Sequence, residues 1–241
     1  MSELTILYQD RDLVAIDKPC GLLVHRSPID KHETEFAVQR LRDQIGQHVY
    51  PIHRLDRPTS GVLLFALSSE VASLMGKQLM SHTLHKRYTA LVRGYVKGSG
   101  LVDYALRYRL DKYADKDRNP ALPSQPACTE YFPLQHFELP IAYRKHETVR
   151  YTLMQLVPIT GRKHQLRRHM AHLRHPIIGD TTHGDGKQNK FARSHFAFNQ
   201  LALSCTSLTL YHPRLNRWLS IEAPMHSALN ELVVNWQKWR T

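Results

Sequence analysis

Apolar and polar positions alternate along the chain in short blocks that predict strands broken by a few helices. Residues 4–8 and 13–17 read as two strands flanking the polar turn Gln9-Asp10-Arg11-Asp12, a hairpin pattern. Pro19 and Gly21 interrupt it. Between Thr34 and Ile45 the apolar residues Ala37, Leu41 and Ile45 recur every four positions, predicting a helix with one buried face. Residues 62–67 form a continuous apolar run after Gly61, as a buried strand would. Ser68 or Ser69 can cap the next helix, where Val71, Leu74, Met75 and Leu79 keep helical spacing. Residues 88–92 form a further strand ending at Gly94.

Residues 111–126 are polar, hold three prolines and read as a loop. Residues 150–157 alternate as a strand does. Gly161 leads into a basic helix over about 163–174, and residues 179–195 read as irregular. Two strands, about 201–210 and 218–222, join across His212-Pro213. A C-terminal helix places Leu229, Leu232, Val233 and Trp236 on one face. The expected class is α+β with a mixed, mostly antiparallel sheet flanked by helices and loops. Neither an internal repeat nor a long linker divides the chain, so residues 1–241 are expected to form one domain.

Composition narrows the partners. The chain has 241 residues, 33 Lys+Arg against 21 Asp+Glu, a net charge of +12 and 42% hydrophobic residues. That apolar content excludes a disordered chain. The longest apolar run, residues 62–67, is far short of a membrane span. Met1-Ser2-Glu3 lacks the basic start of a secretory signal. Cys20, Cys128 and Cys205 are isolated and odd in number, which argues against a disulfide framework and for a reducing cytoplasm.

The charge is concentrated. Residues 144–195 hold 11 basic and 3 acidic side chains, a net of +8, whereas residues 1–143 and 196–241 each carry only +2. Such a block suits a polyanion, although composition does not choose between DNA, RNA and anionic lipid. Among the 16 histidines, His164, His169, His172 and His175 cluster without any zinc-ligand spacing, so no metal is expected.

The stretch His53-Arg54-Leu55-Asp56-Arg57-Pro58-Thr59-Ser60-Gly61 is a charged turn set against a buried strand. Two flanking arginines favour an ionised Asp56, and Pro58 and Gly61 restrict the backbone that carries it. Such a carboxylate can be a nucleophile, a general base or a metal ligand. A purely structural Asp–Arg pair satisfies the same residue types. A kinase catalytic loop would read His-Arg-Asp, and no Gly-rich phosphate loop is present.

The whole string resembles the catalytic motif of the large pseudouridine synthase family that contains the ribosomal enzymes of the A type. Asp17-Lys18-Pro19-Cys20-Gly21-Leu22-Leu23-Val24-His25 is similar to the family's KPxGxxVH segment. Lys86-Arg87-Tyr88-Thr89-Ala90-Leu91-Val92-Arg93-Gly94 is similar to KxYxAxVxG. Thr160-Gly161-Arg162-Lys163-His164-Gln165-Leu166-Arg167-Arg168-His169 is similar to TGRxHQxRxH. Pro176-Ile177-Ile178-Gly179-Asp180 matches PIxGD. These motifs run in order from about residue 4 to 222. Within the family, Arg42-Asp43-Gln44-Ile45-Gly46-Gln47-His48-Val49 and the stretch from His164 through Asp185 resemble a subgroup acting on uridine 65 of tRNA. No basic RNA-binding appendage precedes Leu4, so no separate N-terminal RNA-binding domain is expected.

The resemblance implies the pseudouridine synthase fold and an isomerisation of uridine to pseudouridine in tRNA without any cofactor. The alternatives are the same reaction on ribosomal RNA and a non-catalytic RNA-binding protein of the same fold. It implies Asp56 as the group acting at C1′, Tyr88 as the tyrosine whose ring stacks on the uracil and whose hydroxyl can take part in proton transfer, and Arg167 as the basic partner of Asp56. A uridine inside a stem must leave the stack, and Arg54 would fill the space it leaves. His53, Arg57, Arg162, His164 and Arg168 complete the expected RNA-binding set, with Leu203 under the flipped base. Ser204-Cys205 departs from the family's usual His-Ala. On the basic helix, Leu166, Met170 and Leu173 form the apolar stripe, and Arg167 and Arg174 are expected on one flank with Arg168, His172 and His175 on the other. No membrane or protein partner is implied, and the expected state is a monomer.

Overall fold

The computed structural model describes residues 3–26, 33–107 and 123–241. The first hairpin forms as the alternation requires. Strands β1 (Thr5–Gln9) and β2 (Leu13–Lys18) pair antiparallel, and Asp10 closes their turn by accepting from the backbone N–H groups of Asp12 and Leu13. Helix α1 (Ala37–Ile45) buries Ala37 and Leu41 and ends on Gly46 in a left-handed conformation. It starts three residues after Thr34 because Phe36 is still extended and supplies no side-chain cap. The short β3 (Tyr50–Pro51) pairs with β4 (Ser60–Ala66), every residue of which is buried. Helix α2 (Ser69–Met80) is capped by Ser68, whose hydroxyl accepts from the Val71 N–H.

Strands β5 (His85–Arg93), β6 (Gly100–Asp103), β7 (Cys128–Leu139) and β8 (Val149–Pro158) build the second half of the sheet. β7 carries Pro133 at a break in its register with β8, where a missing N–H costs the ladder nothing. Two helices follow, α3 (Gln165–His172) and α4 (Gly186–Phe196). Then come β9 (Leu203–Tyr211), β10 (Trp218–Glu222) and α5 (Ser227–Trp236). Trp236 of α5 packs against Phe137 of β7 and Tyr151 of β8. Among the described residues, no helix is long and apolar enough to cross a membrane.

The strands form one ten-stranded sheet among the described residues, in the order β1-β2-β4-β9-β5-β8-β7-β6, with β3 on β4 and β10 on β9. The mixed, mostly antiparallel α+β architecture expected from the pattern is present. The parallel contact is β4 with β9, where Ser60 faces Ser204 and Gly61 faces Cys205. It joins the two halves immediately beyond the Asp56 turn. The Ser60 and Ser204 hydroxyls share a buried 2.8 Å hydrogen bond there. Gly61 has a φ of +103°, and a Cβ at this position would stand 2.1 Å from the Cys205 carbonyl oxygen. Gly61→Ala is therefore expected to destabilise the fold by about 2–5 kcal/mol, combining backbone strain with overpacking. The urea midpoint would fall accordingly; an unchanged midpoint would mean that β4 and β9 can separate without penalty.

Two expectations are corrected. Residues 179–195 are not irregular throughout, because residues 186–196 form α4. The Asp185 carboxylate accepts from the N–H groups of Lys187 and Gln188 and offsets a Gly-, Lys- and Asn-rich start of low helix propensity. The basic helix is also shorter than 163–174. Leu173 caps it and Arg174 takes a left-handed φ of 64°. Arg174 thus leaves the flank shared with Arg167, and His175 lies beyond the helix, bonded through Nδ1 to the Arg93 carbonyl. Of the loop expected over 111–126, residues 111–122 lie outside the described residues, and Gln125 pairs with Leu106.

Candidate active site

The Asp56 turn, β5, the β8–α3 connection and Leu203 of β9 enclose a cavity of about 740 Å³, roomy enough for a nucleoside. The turn is fixed from beneath. Asp56 C=O accepts from the Thr59 N–H, and Arg57 C=O accepts from the Gly21 N–H. Lys18, fully buried, donates to the carbonyls of Pro19, Leu22 and Arg57 at 2.8, 2.7 and 3.2 Å. Burial pushes its ammonium down to about 8, yet three carbonyls hold it against the turn. The Lys18-Pro19-Cys20-Gly21 stretch thus acts as a buttress, a role the sequence reading did not assign.

The carboxylate of Asp56 lies in the cavity with its side chain 23% exposed. Its partner is Arg167, the residue the resemblance implies, 111 positions along the chain: Nη1 donates to Oδ2 at 3.3 Å. The Arg167 side chain is only 4% exposed. Its other nitrogens are gripped by Asp180, Nε to Oδ2 at 2.8 Å and Nη2 to Oδ1 at 2.7 Å. Burial alone would weaken its charge, but the two carboxylates raise its pKa above the ordinary arginine value. Asp180 is held below the ordinary carboxylate value: burial opposes this, while Arg167 and the N–H groups of His183 and Thr182 outweigh it. Asp180 is the main site residue that sequence reasoning missed. It stood in the PIxGD segment, but its role needed a contact across 13 positions.

His164 caps α3 in a left-handed conformation, φ 56°. Its Nε2 stands 3.8 Å from Asp56 Oδ2, and its Nδ1 is 2.9 Å from His183 Nε2. The neighbouring Gln165 is an anchor. Its carbonyl oxygen accepts from Thr160 and the Arg162 N–H, and its amide donates to Cys128 O and Thr129. This clamp fixes the start of α3 to β7 and directs His164 and Arg167 inward.

Tyr88 is 7% exposed and lines the cavity beside Leu203. Burial, then the adjacent Cys205 thiol, raise its phenol well above 10, so the hydroxyl keeps its proton. Burial likewise pushes Cys205 up to about 12. His53 also lines the cavity. Its Nε2 accepts from the Leu64 N–H, leaving the proton on Nδ1, which has no partner. Burial, then Lys86, push it down to about 3, so the ring is neutral. Arg54 and Arg162 reach the cavity as well. Arg54 is exposed and makes no side-chain hydrogen bond among the described residues; Arg162 donates to the Pro126 carbonyl.

Arg57 and Arg168 do not line the cavity. Arg57 turns away to Gly21 O and Glu33. Arg168 is half-buried on α3, and the nearby His172 stacks on Tyr104 with centroids 3.8 Å apart. Among the described residues, metal-ligand chemistry gathers at Asp10, Asp12 and His212, outside the cavity. There, Asp10 caps a turn and bonds His212 Nε2, while His212 Nδ1 accepts from two N–H groups.

Comparison with known proteins places these features in a wider set. Residues 12–172 match the family model described as RNA pseudouridylate synthase. A Vibrio cholerae protein named tRNA pseudouridine synthase C is 54% identical over 98% of this chain and 97% of its own length. A Haemophilus influenzae protein of the same name is 51% identical over 95% and 96%. Among solved structures, human RNA Pseudouridylate Synthase Domain Containing 1 shares the fold with a TM-score of 0.71 at 23% identity, over 98% of this chain and 95% of that one.

Proposed function

The chain belongs to the RNA pseudouridylate synthase family, and from that premise we propose that it converts uridine 65 of tRNA to pseudouridine, with Asp56 acting at C1′. It is an isomerase of the pseudouridine synthase type. The tRNA substrate is supported by the names of relatives above 50% identity across nearly their whole length. Position 65 is supported by the subgroup segments 42–49 and 164–185.

The reaction breaks the C1′–N1 bond, rotates the uracil and joins C5 to C1′. The observation that carries the site assignment is the 3.3 Å contact of Arg167 with Asp56 inside a nucleoside-sized cavity facing Tyr88. An ionised carboxylate at C1′ can stabilise the positive charge that develops as the glycosidic bond breaks, or bond to that carbon. Arg167 steadies the carboxylate and Tyr88 offers its ring face to the uracil. The neutral His53, with an unpartnered Nδ1–H, offers a donor to a uracil carbonyl.

A stem nucleotide reaches Asp56 only when flipped out, at a cost of a few kcal/mol. Arg54, exposed at the cavity rim, is suited to occupy the gap in the stack. Arg162, His164 and Leu203 complete the inner surface, while Arg57 and Arg168 meet the RNA outside it. We read the enzyme as a single-domain monomer working without a cofactor in the cytoplasm, a setting in keeping with its three free thiols.

Pseudouridine mapping in tRNA and ribosomal RNA from a strain lacking this gene tests the assignment. Loss at tRNA position 65 is expected; loss confined to ribosomal RNA would overturn it. Arg168→Ala is expected to weaken tRNA binding and lower the slope of log affinity against log salt by about one, the share of one phosphate contact. Binding titrations across a salt series measure this, and an unchanged slope would place Arg168 away from the RNA.

A further inference from the structure

Joining C5 to C1′ leaves C5 tetrahedral with its original hydrogen, and that proton must leave before the ring is aromatic again. The groups around Asp56 are poorly matched to take it. Tyr88 already holds its proton tightly. Arg167 is a cation shared by two carboxylates. Asp56 itself is engaged at C1′. His164 has the right geometry: its ring lines the cavity, its Nε2 stands 3.8 Å from Asp56 Oδ2, and its Nδ1 contacts His183 Nε2 at 2.9 Å. C5 must lie beside C1′ when the new bond forms, so its proton is released close to the carboxylate and within reach of this imidazole. His183 is half-buried, on the turn that follows Asp180.

We propose that His164 accepts the C5 proton on Nε2 and that His183 relays a proton onward to solvent. The C5–H bond breaks and its electron pair restores the C5–C6 double bond of the ring. The proton goes to His164 Nε2. The proton on His164 Nδ1 passes to His183 Nε2, while N1, freed by glycosidic cleavage, takes one from solvent. No oxidant or co-reactant is needed, and atoms balance. The charged groups facing His164 are Asp56 and Asp180 on one side of the ledger of charge, and Arg167 and Lys163 on the other. Burial is the largest influence and lowers the His164 pKa, so the imidazole enters neutral and able to act as a base. The left-handed backbone of His164, unusual for a non-glycine residue, is held by the Gln165 clamp and aims the ring at Asp56.

The proposal rests on Asp56 as the group at C1′, and the test separates the two. Full-length protein is reacted in single turnover with tRNA transcripts carrying either hydrogen or deuterium at uridine C5. His164→Gln is expected to slow turnover about 10²–10⁴-fold, the range of a lost general base. It should also enlarge the deuterium isotope effect relative to the wild type and slow turnover far more than it weakens tRNA binding. Added imidazole should restore part of the rate of His164→Ala, which a purely structural role would not allow. His183→Gln should act in the same direction more weakly, and carries the test alone if the His164 variants fail to fold. Slow turnover with an unaltered isotope effect, or turnover as fast as wild type, would overturn the relay. Retained turnover in Asp56→Asn would instead overturn the reading beneath it.

Discussion

Asp56→Asn is expected to abolish isomerisation while leaving tRNA binding nearly intact. Asn keeps the size of the side chain and removes only its charge. The lost charge is the one required at C1′, and removal of a catalytic nucleophile typically costs 10⁴-fold or more in kcat, with about 10⁶ as the upper range. Binding should survive because phosphate contacts dominate the affinity of proteins for nucleic acid. The fold should survive because Arg167, which loses one partner, retains the bidentate Asp180 carboxylate. Tritium release from tRNA labelled at uridine C5 measures the first effect and a filter-binding titration the second. Weakened binding with retained turnover would contradict the assignment. No tritium release from the wild-type protein, with tRNA still bound, would favour a binding protein over an enzyme.

Local patterns carried much of this architecture into the sequence. The period-four apolar residues of α1, the uninterrupted run of β4, the Ser68 cap of α2 and the apolar face of α5 each depend on neighbours a few positions away. β7 was not legible. Its 12 residues include Pro133 and are mostly half-buried, so no clean alternation marks them as a strand. α4 was hidden because Asp185-Gly186 reads as a loop until Asp185 is seen accepting two N–H bonds. The charged turn ahead of a buried strand marks Asp56 as either a working carboxylate or half of a structural Asp–Arg pair, and only the family resemblance points to Arg167 as its partner; the turn itself carries no sign of a guanidinium that arrives from α3. Roles resting on contacts between distant segments, those of Asp180, Lys18 and His183, carry no local periodicity and emerge only when the sheet brings the segments together.

Asp180 shows how far the site depends on such a contact. Its carboxylate is the chief partner of a guanidinium whose side chain is 4% exposed, and it also caps the turn by accepting from the N–H groups of Thr182 and His183. Asp180→Ala strips Arg167 of two charge-assisted bonds and leaves it with the single 3.3 Å contact to Asp56. Removing one partner of a buried ion pair costs about 3–5 kcal/mol, a large share of the roughly 5–15 kcal/mol that holds a domain folded. The urea midpoint should fall by a matching amount. The sign of its pH dependence follows from the carboxyl, which is held below its ordinary value of 3.8 in the fold. Its stabilisation is present above that value and is lost as pH falls through the lower folded value, so the gap between wild type and variant should close only in strong acid. Activity should fall further than stability requires, because Nη1 of Arg167 is aimed at Asp56 only while Nε and Nη2 are held. With enough folded protein present, kcat should drop while tRNA affinity holds, and Asp180→Glu should recover part of the rate by restoring the charge. A variant as stable as wild type and equally active would mean that Arg167 keeps its place without Asp180, and that the second carboxylate is not what orients the first one's partner.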